Sequence, residues 1–149
     1  MNPVVYDWFR ARVEGGFEDA PFYATQGEML EQKGLPNLWL TMETSNPSLD
    51  RLTVGNPALY RESGNVVFMF MIKSGLGPRE ALVAAQHFSD YMRNTFSPQA
   101  IELTEDNGIV GNLQIPIVGA PDPDPFENGN WLLSSVSCTY TYDSVRGAA

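Results

Sequence analysis

The sequence predicts one α/β domain of the α+β type: a mostly antiparallel β-sheet of five or six strands with two α-helices packed on one face. Residues 66–72 form an unbroken apolar run, Val-Val-Phe-Met-Phe-Met-Ile. Because the side chains of a strand alternate between the two faces of a sheet, such a run is typical of a central strand covered on both faces. A Gly-x-Gly-Pro break follows, and the amphipathic pattern of residues 78–96 predicts a long helix. The 149 residues suffice for one domain with its own core.

The N-terminal part combines a helix, an irregular segment and a strand. Apolar residues recur at three- and four-residue spacing over residues 4–13, and Pro3 suits a first helical turn, so we expect a helix there. Two glycines follow and end it. Residues 17–36 contain two prolines and two glycines and are expected to be irregular. Residues 37–44 are rich in apolar and aromatic side chains and predict a strand.

The middle of the chain is predicted to be rich in turns. Residues 45–57 contain two prolines and a glycine, so we expect a loop-rich segment with a short strand at 51–54. Residues 58–62 and 65–73 are expected to pair as a hairpin through Ser63 and Gly64. The helix of residues 78–96 is expected to cover one face of the 66–72 strand. The other face is then covered either by surface loops or by a neighbouring subunit.

Three further strands are predicted after the long helix, at residues 100–104, 112–118 and 131–143. The dipeptide Asn107-Gly108 is a strong signal for a hairpin between the first two. One side of the last strand is mostly small and polar, as for a face open to water or to a neighbour. Residues 119–130 form a Pro/Asp-rich arm. We expect this arm to be stiff and extended, because alternate prolines fix the backbone.

The charge balance excludes one class of function. The chain carries 18 acidic and 9 basic residues, a net charge of −9. Specific binding of nucleic acid needs basic surface that displaces counterions, and this chain has little. No apolar run approaches the roughly 20 residues of a membrane span, and the N-terminus lacks the pattern of a signal peptide. We therefore expect a protein made in the cytoplasm, without a membrane partner.

Residue types suited to catalysis or to metal binding are sparse. Cys138 alternates with apolar and aromatic residues and is interpreted as a buried structural thiol. His87 is the only histidine, so no second imidazole or thiol completes a transition-metal site beside it. No Gly-x-Ser-x-Gly motif is present, and a catalytic triad would have to use His87. We therefore expect neither an enzyme nor a cofactor.

Two motifs suggest ligand binding but fail on their details. The sequence Gly75-Leu76-Gly77-Pro78 has the position of a phosphate loop, but Pro78 removes an amide donor, so we expect only a tight turn. The acidic residues of the arm suggest calcium, yet an apolar residue and a carboxylate occupy the fifth and sixth positions of a calcium loop, where a ligand and a glycine are required. We expect an acidic arm that is solvated or that contacts a partner.

The order of these segments resembles the tail-terminator proteins of long-tailed bacteriophages and of phage-derived gene transfer agents. Those proteins have an N-terminal helix and a loop-rich segment leading into the sheet. They continue with a strand opened by an Arg-x-x-Gly-like turn, a Gly-x-Gly-like break, a long helix and a closing β-region. The corresponding segments here are residues 4–13, 61–64, 66–72, 75–77 and 78–96. The similarity of layout covers most of the chain, although residues 121–125 look like an insertion.

The resemblance implies a structural protein of the virion, made in the bacterial host cytoplasm and placed at the tail end near the head. It implies a ring, expected to be a hexamer, that caps the tail tube, stops tube polymerisation and offers a surface to the head-side connector or neck protein. DNA passes through such a ring without specific binding, which suits a negative charge. Ring contacts also cover surface that one subunit leaves exposed.

We expect subunit or partner contacts at the long loop, at the acidic arm and on the polar face of the last strand. The residues predicted to lie there are Arg51, Arg61, Glu62, Asp122, Asp124, Glu127, Ser135, Ser137 and Thr139. Opposite charges such as Arg61 and Glu127 could pair across such an interface.

Two other functions remain open from the sequence. One is a neck or head–tail joining protein on the connector side. The other is a small-ligand-binding or enzymatic α/β domain, which requires a pocket near His87 or near the aromatic residues Tyr140 and Tyr142.

Overall fold

The computed structural model describes residues 1–25, 35–97, 99–123 and 131–147. These residues form two helices and seven strands, so the predicted α+β fold is confirmed with a slightly larger sheet. In chain order the elements are α1 (Pro3–Ala11), β1 (Phe22–Thr25), β2 (Leu38–Arg51), β3 (Ala58–Lys73), α2 (Arg79–Thr95), β4 (Ile101–Thr104), β5 (Val110–Val118), β6 (Asp122–Pro123) and β7 (Trp131–Arg146).

The sheet is built around two long central strands. Its order is β1-β2-β3-β7-β5-β4, and the short β6 pairs with the N-terminal part of β7. Only β1 and β2 are parallel. Strands β3 and β7 pair over their whole length, from Ala58↔Arg146 to Lys73↔Trp131. The predicted central strand is therefore the middle of the sheet.

Both helices lie on one face of the sheet, as predicted. Phe9 of α1 contacts the rings of Phe68 and Tyr140, with centroid distances of 6.2 and 5.7 Å. Phe88 of α2 contacts the same Phe68 ring at 4.6 Å and Phe70 at 5.8 Å. The aromatic residues of β3 thus join the two helices into one core.

The first helix begins with a side-chain cap. The Asn2 side chain accepts a 3.0 Å hydrogen bond from the backbone N–H of Val4, and Pro3 occupies the first helical turn, where no N–H is needed. The helix ends at Ala11, two residues before the predicted end, and a tighter turn brings Val13 into the core.

The predicted hairpin through Ser63 and Gly64 is wrong, because β3 runs through both residues without a turn. Gly64 pairs with Tyr140 of β7, whose ring lies over it. A Cβ at residue 64 would lie 2.9 Å from the Tyr140 hydroxyl oxygen. This glycine therefore allows a close approach of an aromatic ring, rather than a change of chain direction.

The predicted loop over residues 45–57 is also largely wrong. Strand β2 continues to Arg51, so the loop is limited to residues 52–57, and the short strand predicted at 51–54 is absent. Pro47 lies in a β-bulge between Ser45 and Ser48. A proline is tolerated in such a bulge because the ladder there requires no N–H.

The segment of residues 17–36, predicted to be irregular, contains strand β1. The strand is only four residues long and pairs with Leu40–Met42 of β2. A segment this short has too little periodicity to be separated from a loop.

The elements after β3 follow the prediction closely. Gly75 and Gly77 have φ angles of 96° and 80°, so the break before α2 is a tight turn that glycine favours. Gly108, with φ 87°, closes the β4–β5 hairpin. Strand β7 continues three residues beyond its predicted end, and the start of the arm is extended as β6. The rest of the arm lies outside the described residues.

Candidate interaction surface

The two faces of β3 differ in their burial. Val66, Phe68, Phe70 and Ile72 point toward the helices and are fully buried. On the opposite face Met71 is buried, but its neighbours at 67 and 69 are only half-buried. Within the part of the chain that the structure describes, β3 is therefore covered completely only on the helix side. We call the opposite side of the sheet the open face; its β3 and β7 residues are Arg61, Ser63, Asn65, Val67, Met69, Met71, Leu133, Ser135, Ser137, Thr139, Thr141 and Asp143.

Small polar side chains occupy the middle of the open face. Thr139 donates a 2.9 Å hydrogen bond to the side-chain oxygen of Asn65 on the neighbouring strand. Ser137 is exposed opposite Val67, and Ser135 lies opposite the half-buried Met69. Such a mixture of hydroxyl and apolar groups can pack against another protein without burying an unpaired charge.

A fixed ion pair crosses the open face near the β2–β3 hairpin. Arg61 donates two hydrogen bonds to Asp143, Nε to Oδ1 and a terminal nitrogen to Oδ2, each 2.8 Å long. These bonds and the charge of Asp143 raise the pKa of the Arg61 guanidinium. Arg61 therefore has a partner within its own chain. The predicted pairing with Glu127 is not described by the structure, because Glu127 lies outside the described residues.

The other end of the open face is aromatic. Trp39 of β2 makes edge-to-face contacts with Trp131, at 5.6 Å, and with Tyr23, at 6.3 Å. Trp39 is almost fully buried, whereas Tyr23 is 46 % exposed. The indole N–H of Trp39 has no hydrogen-bond partner within the part of the chain that the structure describes. The contacts with Tyr23 and Trp131 therefore cover Trp39 at this end of the open face.

Exposed apolar side chains gather at the opposite end, where β2 and β3 are joined. Val54 at the tip of the loop is fully exposed, and Leu49 and Leu52 beside it are 61 % and 45 % exposed. The backbone N–H of Leu52 bonds to Leu59, which pairs with Val145 of β7. We call this region the hairpin end; its exposed apolar residues are Leu49, Leu52, Val54, Val110 and Val145.

The loop of the hairpin end is held by its own polar contacts. Arg51 donates to the carbonyl oxygens of Thr53, at 3.0 Å, and of Gly55, and its guanidinium lies 5.9 Å from the centre of the Tyr60 ring. The Thr53 hydroxyl accepts from the N–H of Leu59 at 2.8 Å. Arg51, which was predicted to be an interface residue, therefore orders the loop that presents the apolar tip.

Two grooves border the hairpin end. The larger, of about 550 Å³, is lined by residues of the hairpin, including Leu49, Asn56 and Tyr60, together with Arg146. The second, of about 310 Å³, lies between Leu49, Arg146 and the N-terminal residues. Tyr142 lines this second groove, whereas His87 is exposed on α2.

A buried carboxylate lies beneath the same end of the sheet. Glu62 accepts hydrogen bonds of 2.8 Å from the Tyr140 hydroxyl and from the backbone N–H of Asn2. Burial, reinforced by this hydrogen bond and by the charge of Glu62, raises the pKa of Tyr140. Glu62 was predicted to lie at an interface, but its side chain is directed into the protein, because the even-numbered residues of β3 point toward the helices.

A second carboxylate links β4–β5 to the end of β7. Glu105 accepts hydrogen bonds from the Tyr142 hydroxyl, at 2.8 Å, and from the Arg146 guanidinium. Burial alone would raise the pKa of Glu105, but these hydrogen bonds outweigh it, and the pKa lies below its ordinary value. The hydrogen bonds of Glu105 with Tyr142 and Arg146 therefore hold the C-terminal end of β7 against the β4–β5 turn.

The remaining predicted contact residues divide by location. Ser135, Ser137 and Thr139 lie together on the open face, and Asp122 is exposed in β6 beside Ser135. Asp124, like Glu127, lies outside the described residues. The apolar residues of the hairpin end were not predicted, although Leu52 and Val54 stand between polar loop residues in the sequence.

Groups suited to chemistry are few in the described ranges. No cluster of three or more His, Cys, Asp or Glu side chains with a geometry for a metal ion occurs in them. Cys138 is fully buried, as predicted, and burial raises its pKa to about 12. Neither described helix has the length and apolar character needed to span a membrane.

The chain was also compared with known proteins. No protein-family model matches it, and no characterised protein sequence matches it significantly.

Proposed function

We propose that this protein is a structural virion assembly protein, a tail terminator that caps the end of a phage-type tail tube as a ring. It stops tube polymerisation and provides the surface that joins tail to head. Its proposed partners are further copies of itself, forming a ring expected to be a hexamer, the tail tube protein, and the head-side connector or neck protein. It requires no cofactor, and DNA passes through the ring without specific binding.

The observation that carries this proposal is the open face. A sheet whose two described helices both lie on one side, and whose other side carries half-buried apolar and small polar groups, is suited to packing against another protein. The order of helix, central strand, glycine break and long helix supports the tail-terminator assignment. Residues 61–64 support it less, since they lie inside β3 instead of forming a turn.

The first experiment measures tube length. Tail tube protein is polymerised alone and with the purified protein, and lengths are determined by electron microscopy. We expect shorter tubes that carry a cap at one end. Unchanged tube lengths and bare ends would contradict the proposal. Binding to the purified connector but not to the tube would favour the neck protein instead.

A matched pair of variants links capping to the open face. Ser137→Arg places a long cation on the exposed centre of this face, whereas Gln86→Arg places one on the exposed side of α2. We expect the first variant to lose capping and the second to retain it, with both giving the circular dichroism of the native fold. Capping by Ser137→Arg at the native level would exclude the open face as the assembly surface.

Particles that lack the protein provide a test in the cell. We expect overlong tails, or tails without heads, in electron micrographs of such particles. Particles of normal length with normal heads would overturn the proposed function.

A further inference from the structure

Four apolar side chains form a line across the open face at the hairpin end. Leu59 of β3 pairs with Val145 of β7, and both belong to the odd-numbered series that faces away from the helices. The N–H of Leu52 bonds to the Leu59 carbonyl on one side. On the other side, Val110 lies one residue before the first pair that β5 makes with β7. We call these four side chains the apolar row; Leu52, Val110 and Val145 are 45 %, 49 % and 55 % exposed, and Leu59 is half-buried.

The next line of side chains, toward the middle of the open face, is charged. Arg61 and Asp143 occupy its centre and neutralise one another through their two hydrogen bonds. Asp50 lies opposite Arg61 on β2, and Glu102 lies opposite Asn112 on β4. Both are exposed, and neither has an ion pair within the part of the chain that the structure describes. Two uncompensated carboxylates therefore flank the apolar row, each about 7 Å from its line along the strand.

We infer that the apolar row binds an amphipathic helix of a different protein, with lysine or arginine beside the apolar face of that helix. The inference rests on the proposed function, because the row belongs to the proposed assembly surface. It deepens that function by stating the chemistry of the partner.

The spacing of the row favours a helix over an extended segment. Neighbouring strands lie about 4.8 Å apart, so the three steps of the row extend over about 14 Å. The apolar side chains of a helix repeat about every 5.4 Å, which gives about 16 Å over three turns. Side chains on one face of an extended segment repeat about every 6.7 Å, which gives about 20 Å. A helix lying along the row therefore matches its four side chains more closely.

The two carboxylates select the charge of the partner. A cation beside the apolar face of the helix lies within a Debye length, about 8–10 Å, of Asp50 or Glu102 and is attracted. A nucleic acid or an anionic membrane would bring phosphates to the same carboxylates and is disfavoured. A second copy offers no such helix among its described residues, because α1 and α2 direct their apolar faces into their own core. The occupant is therefore a segment of another protein.

A titration followed by nuclear magnetic resonance tests this inference on the full chain labelled with nitrogen-15. The probe is a stapled helical peptide of about 14 residues with leucine at every third or fourth position and lysine beside each leucine. We expect saturable shifts of the Val110 and Val145 amide signals, with a dissociation constant below about 1 mM. A peptide with glutamate in place of lysine should give no such shifts. No saturation up to about 1 mM, or equal shifts with the glutamate peptide, would overturn the inference.

Two single variants test the apolar contact. Val145→Ser removes the apolar group at the centre of the row, and Ile117→Ser makes a similar change at an exposed position of the same face outside the row. We expect Val145→Ser to raise the dissociation constant of the lysine peptide about fivefold or more, and Ile117→Ser to leave it unchanged. Equal effects would exclude the row as the contact. The dispersion of the amide signals shows whether each variant is folded.

Two double variants test the charge. Asp50→Asn with Glu102→Gln removes both carboxylates beside the row, whereas Glu43→Gln with Asp122→Asn removes two from the same face farther from the row. We expect the first pair to weaken peptide binding about threefold or more, and the second pair less than about twofold. Equal losses would assign binding to the net charge alone and overturn the inference. Peptide binding without tube capping would reject the proposed function alone, and capping without peptide binding would reject this inference alone.

Discussion

The hydroxyl of Tyr140 donates a 2.8 Å hydrogen bond to the carboxylate of Glu62 on the neighbouring strand, inside the protein. The two residues are 78 positions apart in the chain. Glu62 also accepts the N–H of Asn2, the residue that caps α1. One carboxylate therefore connects the central strands to the first helix.

We expect Tyr140→Phe to lower the free energy of unfolding by about 1–3 kcal/mol, because Glu62 then loses a donor inside the protein. Tyr23→Phe is a suitable control, since Tyr23 is 46 % exposed, and a surface change of this kind is expected to cost less than about 0.5 kcal/mol. Urea denaturation of both variants measures the difference. Equal stabilities would show that the Tyr140–Glu62 bond contributes nothing net.

The position of Gly64 under the Tyr140 ring gives a second prediction. A methyl group at residue 64 would lie 2.9 Å from the Tyr140 hydroxyl oxygen, so Gly64→Ala must displace the ring and weaken its hydrogen bond. We expect a loss of about 1–3 kcal/mol in the free energy of unfolding. Gly15→Ala serves as the control, because nothing lies within 4 Å of an added Cβ there. A stability of Gly64→Ala equal to that of the control would contradict the close approach.

The lowered pKa of Glu105 leads to a prediction of how the free energy of unfolding depends on pH. Its pKa in the folded protein lies below the ordinary value of 4.5, since hydrogen bonds from Arg146 and Tyr142 outweigh the effect of burial. The stability that it contributes is therefore present above about pH 4.5 and is lost as the pH falls through the lower pKa of the folded state. We expect the free energy of unfolding, measured by urea denaturation, to fall below that pH.

Replacement of Glu105 isolates its part of this dependence. Glu105→Gln should flatten the fall in stability below about pH 4.5, whereas Glu102→Gln, at an exposed position of the adjacent strand, should retain the native slope. Identical slopes for Glu105→Gln and the native protein would assign the acid sensitivity to other carboxyl groups.

The thiol of Cys138 should be unreactive in the native protein. It is fully buried, and its pKa is raised to about 12, so both access and thiolate formation are suppressed. We expect no reaction with a chromogenic disulfide reagent at about pH 8, and one thiol per chain after denaturation. Val54→Cys is the positive control, since its thiol would be fully exposed. Rapid reaction of the native protein would show that the core around Cys138 opens readily.

The elements that were predicted correctly have clear signals within their own segments of the sequence. Helix α2 has a long amphipathic period, and the β4–β5 hairpin has Asn107-Gly108, so both were placed within about two residues. Strand β1 and the continuity of β3 depend on pairing with distant strands, and neither has a local signature. Gly64 illustrates the ambiguity, because a glycine between strand residues fits either a turn or a close approach.

The candidate surface was predicted in part. The polar side of β7 follows from alternation, and Ser135, Ser137 and Thr139 do lie on one face. Glu62 was misplaced because the predicted turn at Ser63 concealed its position on the helix side of a continuous strand. The sequence shows Leu52 and Val54 between polar loop residues, but their place at the end of a long hairpin depends on how far β2 and β3 extend, which has no local signal.

The pairing of β7 with β3 has a consequence for how the chain folds. Every pair from Ala58↔Arg146 to Lys73↔Trp131 joins segments that are far apart in sequence. The centre of the sheet therefore forms late during synthesis, after residues 131–146 have left the ribosome, and until then β3 exposes an unpaired apolar edge. Such nonlocal pairing slows folding, to milliseconds or seconds for small β-rich domains. Until β7 pairs with it, the exposed apolar strand β3 makes the newly made chain prone to aggregation.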